Sequence, residues 1–285
     1  MEGPTEVPFA GLVQATNGDL YGTAAGGGAY GGGTVFKMTP SGKLTTLYSF
    51  CAQAGCTDGA NPSAGLVQAT NGDFYGTTAG GGACSTCGTV FKITPSGTLT
   101  TLYSFCSQSG CTDGSYPAAG LVQATNGDLY GTTFSGGGAT NSGTAFKITP
   151  SGDLTTLHSF CAQSGCTDGN YPGAGLVQAT NGTLYGTTSG GGANNLGTIF
   201  SLSVGLGPFV ETQTTVGKVG AAVKILGTDL SGATSVSFNG TAAVFTVVSP
   251  SLITTTVPAG ATTGKVEVVT PSGTLSTYVP YRVLP

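Results

Sequence analysis

The 285-residue chain carries only 8 basic and 12 acidic side chains, and with no cluster of Lys or Arg to neutralise phosphates nucleic-acid binding is excluded. Charged residues make up 7% while Gly reaches 51 copies, so Thr, Ser, Asn and Gln solvate the surface, a composition that favours turn-rich β structure over helices. No apolar run approaches the roughly 18 residues of a membrane-spanning helix, and the start, Met1-Glu2-Gly3-Pro4, has neither the basic nor the apolar segment of a secretory leader.

Internal repetition organises the first two thirds of the chain. The segment Gly-Leu-Val-Gln-Ala-Thr-Asn-Gly-Asp-Leu-Tyr-Gly-Thr begins at Gly11 and returns, nearly unchanged, at Gly65, Gly120 and Gly175, a spacing of 54 to 55 residues. In the first copy, strand a is expected over 12–16 and strand b over 20–23, joined by Asn17-Gly18-Asp19. Asn-Gly between apolar runs is a strong hairpin signal. Strand c (34–39) follows the glycine-rich stretch 25–33, and strand d (44–50) follows the tight turn Pro40-Ser41-Gly42. A long loop, 51–64, leads to the next copy. Four antiparallel strands at this period match a β-propeller blade, with an open stack of small sheets as the alternative.

The fourth copy lacks strand d, because Ser201-Leu202-Ser203 runs into the linker 204–208, so fifteen strands are expected over residues 9–203. Strand c of that copy, with Thr198-Ile199-Phe200, should then present a bare edge, expected either because the stretch is a fragment of a longer repeat protein or because the sheet is completed by pairing with another chain. Residues 1–10 offer little cover for it, since Pro4 and Pro8 each remove a donor.

The eight cysteines fall as local pairs: Cys51/Cys56, Cys106/Cys111 and Cys161/Cys166 in the same loop of three repeats, plus Cys84/Cys87. This pattern points to disulfides and an oxidising compartment; the rival is a zinc site built from Cys84, Cys87, Cys106 and Cys111. Asp19, Asp73 and Asp128 in the a–b turns, and Asp58, Asp113 and Asp168 in Cys-Thr-Asp-Gly, read as turn residues. The sharper reading gathers Asp19, Asp73 and Asp128 around Ca²⁺, although Thr183 breaks that ring. His158, the single histidine, aligns with Tyr48 and Tyr103 and reads as an aromatic-position variant. The runs at 26–28, 80–82, 136–138 and 190–192 are triple glycines without the Lys-Ser/Thr of a phosphate loop. No catalytic residue and no cofactor is expected.

After Pro208 the repeat stops. Short alternating runs, Val236-Ser237-Phe238 and Val266-Glu267-Val268 among them, are separated by turn signals and predict a β-sandwich over 208–285.

The thirteen-residue segment above, followed by Gly-Thr-Val-Phe-Lys-Met-Thr-Pro-Ser-Gly at Gly33, resembles the GloVer tandem repeat of "choice-of-anchor" bacterial proteins over about residues 9–200. The resemblance implies an exported protein held at the surface by a C-terminal anchor. This sequence departs from that pattern by ending Tyr281-Arg282-Val283-Leu284-Pro285, and a leader is absent, removed, or outside the stretch given. Residues 208–285 resemble the IPT/TIG immunoglobulin-like family, some of whose members bind DNA. Here Lys218, Lys224, Lys265 and Arg282 are scattered, and a spacer or contact role is expected.

The expected protein is therefore all-β, a propeller-like array of four repeats followed by an immunoglobulin-like sandwich, extracellular or at the cell surface, and non-catalytic. The leading role is a scaffold or adhesion module. The alternative is a lectin-like binder of glycans on the long-loop face, where Tyr30, Tyr116 and Tyr171 would stack on sugar and Gln53, Gln108 and Gln163 would hydrogen-bond it. Other surface proteins, and a second copy through the open edge, are the remaining candidate partners.

Overall fold

A computed structural model describes residues 8–285; Pro4 and the rest of residues 1–7 lie outside the described residues. The chain divides into two compact units, one holding the chain up to Val177 with Tyr185–Ser201, the other Gln178–Leu184 with Leu202–Pro285.

The repeats form consecutive antiparallel blades. The first contains β1 (Val13–Gln14), β2 (Leu20–Ala24), β3 (Thr34–Met38) and β4 (Leu44–Ser49), paired in chain order. The second contains β5 (Val67–Gln68), β6 (Phe74–Thr78), β7 (Thr89–Ile93) and β8 (Leu99–Ser104). The third contains β9 (Val122–Gln123), β10 (Leu129–Thr133), β11 (Thr144–Ile148) and β12 (Leu154–Ser159). The fourth stops at three strands, β13 (Val177–Gln178), β14 (Leu184–Thr188) and β15 (Thr198–Leu202), leaving β15 at the sheet edge as expected.

The first strand of each blade is shorter than its apolar pattern. Turn closure already begins at Ala15, whose N–H donates to Asp19 O (2.8 Å) while Gly18 N–H donates to Ala15 O (2.9 Å). Gly18 takes φ +92°, which glycine adopts without steric cost. Between β3 and β4 the register slips at Val35/Phe36, and the same bulge recurs at Val90/Phe91 and Ala145/Phe146. A bulge increases the local twist.

Blades pack face to face along repeating seams. Tyr21, Val35 and Phe50 of blade one bury against Leu66, Phe74, Phe91 and Ile93 of blade two, and Tyr75, Val90 and Phe105 bury against Leu121, Leu129, Phe146 and Ile148 in turn. Tyr21 stacks on Phe74 at 4.0 Å, and Phe50 meets Phe91 edge-on at 5.1 Å. Each fully buried aromatic contributes roughly 1.5–3 kcal/mol by area, with about 0.5–1.5 kcal/mol more from ring geometry. The glycine of Tyr-Gly-Thr is required here: a Cβ on Gly131 would stand 2.7 Å from both Leu121 Cδ2 and Phe146 Cζ. Polar threonines tie the seams, Thr23 Oγ1 donating to Ala64 O and Thr77 Oγ1 to Ala119 O.

The second unit has two four-stranded sheets. One pairs β16 (Glu211–Thr212), β18 (Ala222–Leu226), β22 (Leu252–Thr256) and β21 (Phe245–Ser249) in that order. The other pairs β20 (Thr241–Ala242), β19 (Ser235–Phe238), β23 (Val266–Thr270) and β24 (Gly273–Ser276). A parallel pair, β17 (Val216–Lys218) with β25 (Arg282–Leu284), completes it. Its core includes Val223, Ile225, Val236, Phe238, Ile253, Val266 and Tyr281. Residues 178–184 group with this unit, within which Phe209 N–H donates to Thr180 O at 2.9 Å.

Candidate functional site

The long loops carry most of the polar chemistry of the repeats. Each begins with a cysteine pair at i,i+5, and the structure brings Cys51 to Cys56, Cys106 to Cys111 and Cys161 to Cys166 with Cα–Cα distances of 4.0, 4.1 and 4.0 Å. Cys84 and Cys87 pair at 5.1 Å in the loop between β6 and β7. All six cysteines of the i,i+5 pairs take left-handed backbone conformations, with φ between 50° and 66°.

An aspartate closes each loop from within. The Asp58 carboxylate is fully buried and accepts from Tyr48 Oη (2.9 Å), Ala52 N (3.0 Å) and Gln53 N (3.2 Å). Asp113 accepts from Tyr103 Oη, Ser107 N and Oγ, and Gln108 N. Asp168 accepts from Ala162 N and Gln163 N, and lies 3.1 Å from His158 Nε2. His158 thus shares with Tyr48 and Tyr103 the position facing the aspartate, beyond a shared aromatic shape. Burial, the Asp58 hydrogen bond and the Asp58 charge push Tyr48 up to about 12. At Asp168 burial acts upward, but the backbone amides of Ala162 and Gln163 and the His158 side chain outweigh it and hold the carboxyl below its usual value. These carboxylates are engaged by the loop itself.

The second half of each loop crosses the seam between blades. Ala60, Ser115 and Asn170 bridge to Gly80, Ser135 and Gly190 in the glycine-rich loop of the following blade. The next residue, Asn61, Tyr116 or Tyr171, is held by both backbone groups. Tyr116 N–H donates to Cys87 O (2.8 Å) on one side of the seam, and its C=O accepts from Phe134 N–H (2.9 Å) on the other. Tyr171 is held in the same way by Ser142 O and Ser189 N–H. All three stand at φ 55–56°. Asn tolerates that conformation; a bulky Tyr there is an outlier, and such strain concentrates at binding sites.

Both tyrosine rings are exposed, and Phe134 joins them into a row. Its ring lies edge-on to Tyr116 at 6.1 Å and stacked on Tyr171 at 5.2 Å. Beside Tyr116 opens a cleft of about 490 Å³, lined also by Phe9, Asn61, Ser63, Ser85 and Thr86. The shorter Asn61 stands where the next two seams carry tyrosine, so the aromatic row ends in a mainly apolar hollow to which Asn61, Ser63, Ser85 and Thr86 add a few polar groups.

The other predicted site residues are placed elsewhere. Tyr30 is exposed in the loop between β2 and β3, outside the seam positions of Tyr116 and Tyr171. Gln53, Gln108 and Gln163 are exposed on the disulfide loops, where each Oε1 accepts from the hydroxyl of Thr57, Thr112 or Thr167. Asp19, Asp73 and Asp128 sit one to a hairpin turn, each N–H bonded to the Oδ1 of the preceding asparagine, and Asp128 pairs with Lys147 at 3.5 Å. Among the described residues no three His, Cys, Asp or Glu side chains gather as a metal site. Sequence reading missed Phe134, whose signal is that Ala25, Ala79 and Ser189 occupy the same place in the other copies.

The profile of the Gloeobacter/Verrucomicrobia repeat matches residues 3–222. The chain belongs to that repeat family. The IPT/TIG profile matches residues 208–283, so both resemblances drawn from the motifs are borne out. No curated protein matches the repeat chain. Among solved structures it is similar to the extracellular domain of a hybrid two-component system from B. thetaiotaomicron, at 11% identity and a TM-score of 0.43, over 96% of this chain and 37% of that one. The chain therefore spans little more than a third of that structure's length. A fungal alcohol oxidase of the AA5 family, in complex with copper, aligns at 13% identity and a TM-score of 0.35, over 95% of this chain and 75% of its own. SGBP-B from a xyloglucan utilization locus in Bacteroides uniformis aligns at 16% identity and a TM-score of 0.24, over 48% and 35%. At these scores the likenesses carry no inference about function.

Proposed function

We propose that this repeat protein is a non-catalytic, extracellular binding module, a scaffold whose long-loop face takes a glycan along Tyr116, Phe134 and Tyr171. The observation that supports this reading is the pair of exposed tyrosines held by two backbone hydrogen bonds each in a left-handed conformation, where their rings contribute little to the core. Planar apolar rings beside hydroxyls and an amide are how an uncharged polar ring is oriented: the rings cover its C–H face, and Asn61, Ser63, Ser85 and Thr86 meet its hydroxyls. The near absence of charge suits a neutral rather than an acidic saccharide. Local cysteine pairs favour an oxidising compartment. Catalysis is disfavoured because the loop aspartates are already engaged by backbone amides and by Tyr48, Tyr103 and His158.

The test is a glycan array followed by titration calorimetry with neutral oligosaccharides. Binding that is lost in Tyr116→Ala and Tyr171→Ala, with the fold unchanged, is the expected result. No binding at millimolar sugar would leave the scaffold role and remove the glycan.

A further inference from the structure

Among the described residues, the first and last blades each expose a face that the inner blades bury. In blades one to three the second-strand tyrosine is sealed in a seam, at 0% exposure for Tyr21, 0% for Tyr75 and 1% for Tyr130, whereas Tyr185 is 39% exposed. On the third strand Val35, Val90 and Ala145 are at 0%, and their counterpart Ile199 is 81% exposed. The opposite face shows the same contrast at the other end. Leu66, Leu121 and Leu176 are at 8%, 8% and 5%, but their counterpart Leu12 is 48% exposed, and Leu44 is 54% exposed where Leu99 and Leu154 are half-buried.

These two faces carry the two residue sets that pack against each other in the internal seams. The first two internal seams each set a tyrosine, a valine and a phenylalanine against leucine, phenylalanine and isoleucine side chains of the next blade. Blade four presents the first set as Tyr185, Ile199 and Val177; blade one presents the second as the exposed Leu12 and Leu44 with the half-buried Leu20 and Met38, over Phe36, which is already 9% exposed. The changes from the internal seams, Ile for Val and Met for Ile, nearly conserve shape, which packed interfaces tolerate. Apolar faces of this kind left open in solution mark contact sites.

We infer that the partner on both faces is a second copy of this chain: the rear of blade one in one molecule seats on the front of blade four in another and rebuilds the internal seam between molecules. The contact is heterologous, head to tail, because the two surfaces differ. It goes beyond the edge pairing expected for β15, since it uses the face of the sheet, and it is independent of the glycan reading. It should be weaker than an internal seam. Blade four has no fourth strand, so the edge-on contact that Phe50, Phe105 and Phe160 make with the next blade, at 4.8–5.1 Å, has no counterpart.

The experiment uses the full chain and two variants, Ile199→Asp to block the front and Leu12→Asp with Leu44→Asp to block the rear. Analytical ultracentrifugation across a concentration series should show wild-type chains associating, and either variant alone associating at least about tenfold more weakly. Mixed one to one, the two variants should form a dimer and nothing larger, because one intact front meets one intact rear. The substituted positions are solvent-exposed, and circular dichroism checks that both variants fold; Ile199→Ser and Leu12→Ser serve if either does not. A wild-type chain that stays monomeric at every concentration overturns the inference. So does a rear-blocked variant that still dimerises alone, which is the signature of edge-to-edge pairing through β15. Unchanged association in Tyr116→Ala keeps this result separate from sugar binding.

Discussion

The Tyr48 hydroxyl donates to the buried Asp58 carboxylate at 2.9 Å, ten residues along the chain, and this contact ties the last strand of blade one to the loop that follows it. Burial and Asp58 together push Tyr48 from 10.0 up to about 12. A raised value means that the folded state holds the proton more tightly than the unfolded state. The stabilising contribution is therefore complete below pH 10.0 and disappears as the pH rises towards about 12. Thermal unfolding followed across that window should fall more steeply in wild type than in Tyr48→Phe. At neutral pH that variant should lose about 1–3 kcal/mol, because a buried carboxylate loses a donor.

The third repeat behaves oppositely on the acid side. Asp168 is held below 3.8 because the amides of Ala162 and Gln163 and the His158 side chain outweigh the effect of its burial. A depressed value gives stability that is present above pH 3.8 and lost as the pH drops through the lower folded value. Asp168→Asn should remove this acid-dependent loss, at a cost of roughly 1–3 kcal/mol at neutral pH, where the amide leaves a backbone donor without an acceptor. Urea melts at a series of acidic pH values measure both.

Much of this architecture was legible in the chain because the local signals are strong. Asn17-Gly18 and its three copies announce the first hairpin, and the missing fourth strand after Ser201-Leu202-Ser203 was visible by alignment of the repeats. The i,i+5 cysteines pair within one loop, so no long-range geometry was needed. The aromatic row was harder to read. Tyr116 and Phe134 meet only because loops of neighbouring blades are bridged at Ser115 and Ser135, a relation set by seam packing rather than by any local pattern. The glutamines grouped with the tyrosines share their loops, but each bonds a threonine within its own turn. Asp58 reads correctly as a turn residue, yet its full burial follows from a tyrosine on the preceding strand.

All eight cysteines should be recovered as the four local pairs when a non-reduced digest is examined by mass spectrometry. Free thiols with stoichiometric zinc would contradict this and favour the metal site. Closing so short a loop restricts the unfolded chain by about 2 kcal/mol. In the i,i+5 pairs both cysteines hold left-handed conformations, which cost roughly 1–2 kcal/mol each where nothing compensates. Reduction should therefore lower stability by less than the loop estimate, as read from the melting temperature with and without reductant.

The sandwich should fold by itself. Its core, from Val210 to Tyr281, lies wholly within residues 208–285, and its sheets pair only among their own strands. Expressed alone, 208–285 should unfold cooperatively in urea and show dispersed amide resonances. A chain with collapsed amide dispersion would show that residues 178–184, grouped with the same unit, are needed for folding.

Tyr171 offers a separation of stability from binding. Its ring is exposed and its φ of 55° belongs to the left-handed region, where the first repeat keeps Asn61 at the same place and the same φ. Asn reaches that conformation at lower cost than Tyr, so Tyr171→Asn should stabilise the fold by about 0.5–1 kcal/mol. The backbone bonds to Ser142 O and from Ser189 N–H require no side chain and should persist. The stacking of Tyr171 on Phe134 at 5.2 Å would be lost, which subtracts part of the gain. If the tyrosines are kept for a ligand, sugar affinity should fall while the melting temperature rises, and Tyr116→Asn should repeat the pattern at the cleft. Calorimetry and thermal melts on the same samples read both quantities. A destabilised Tyr171→Asn would mean that the ring supports the loop, and the strained tyrosine would then need no ligand to explain it.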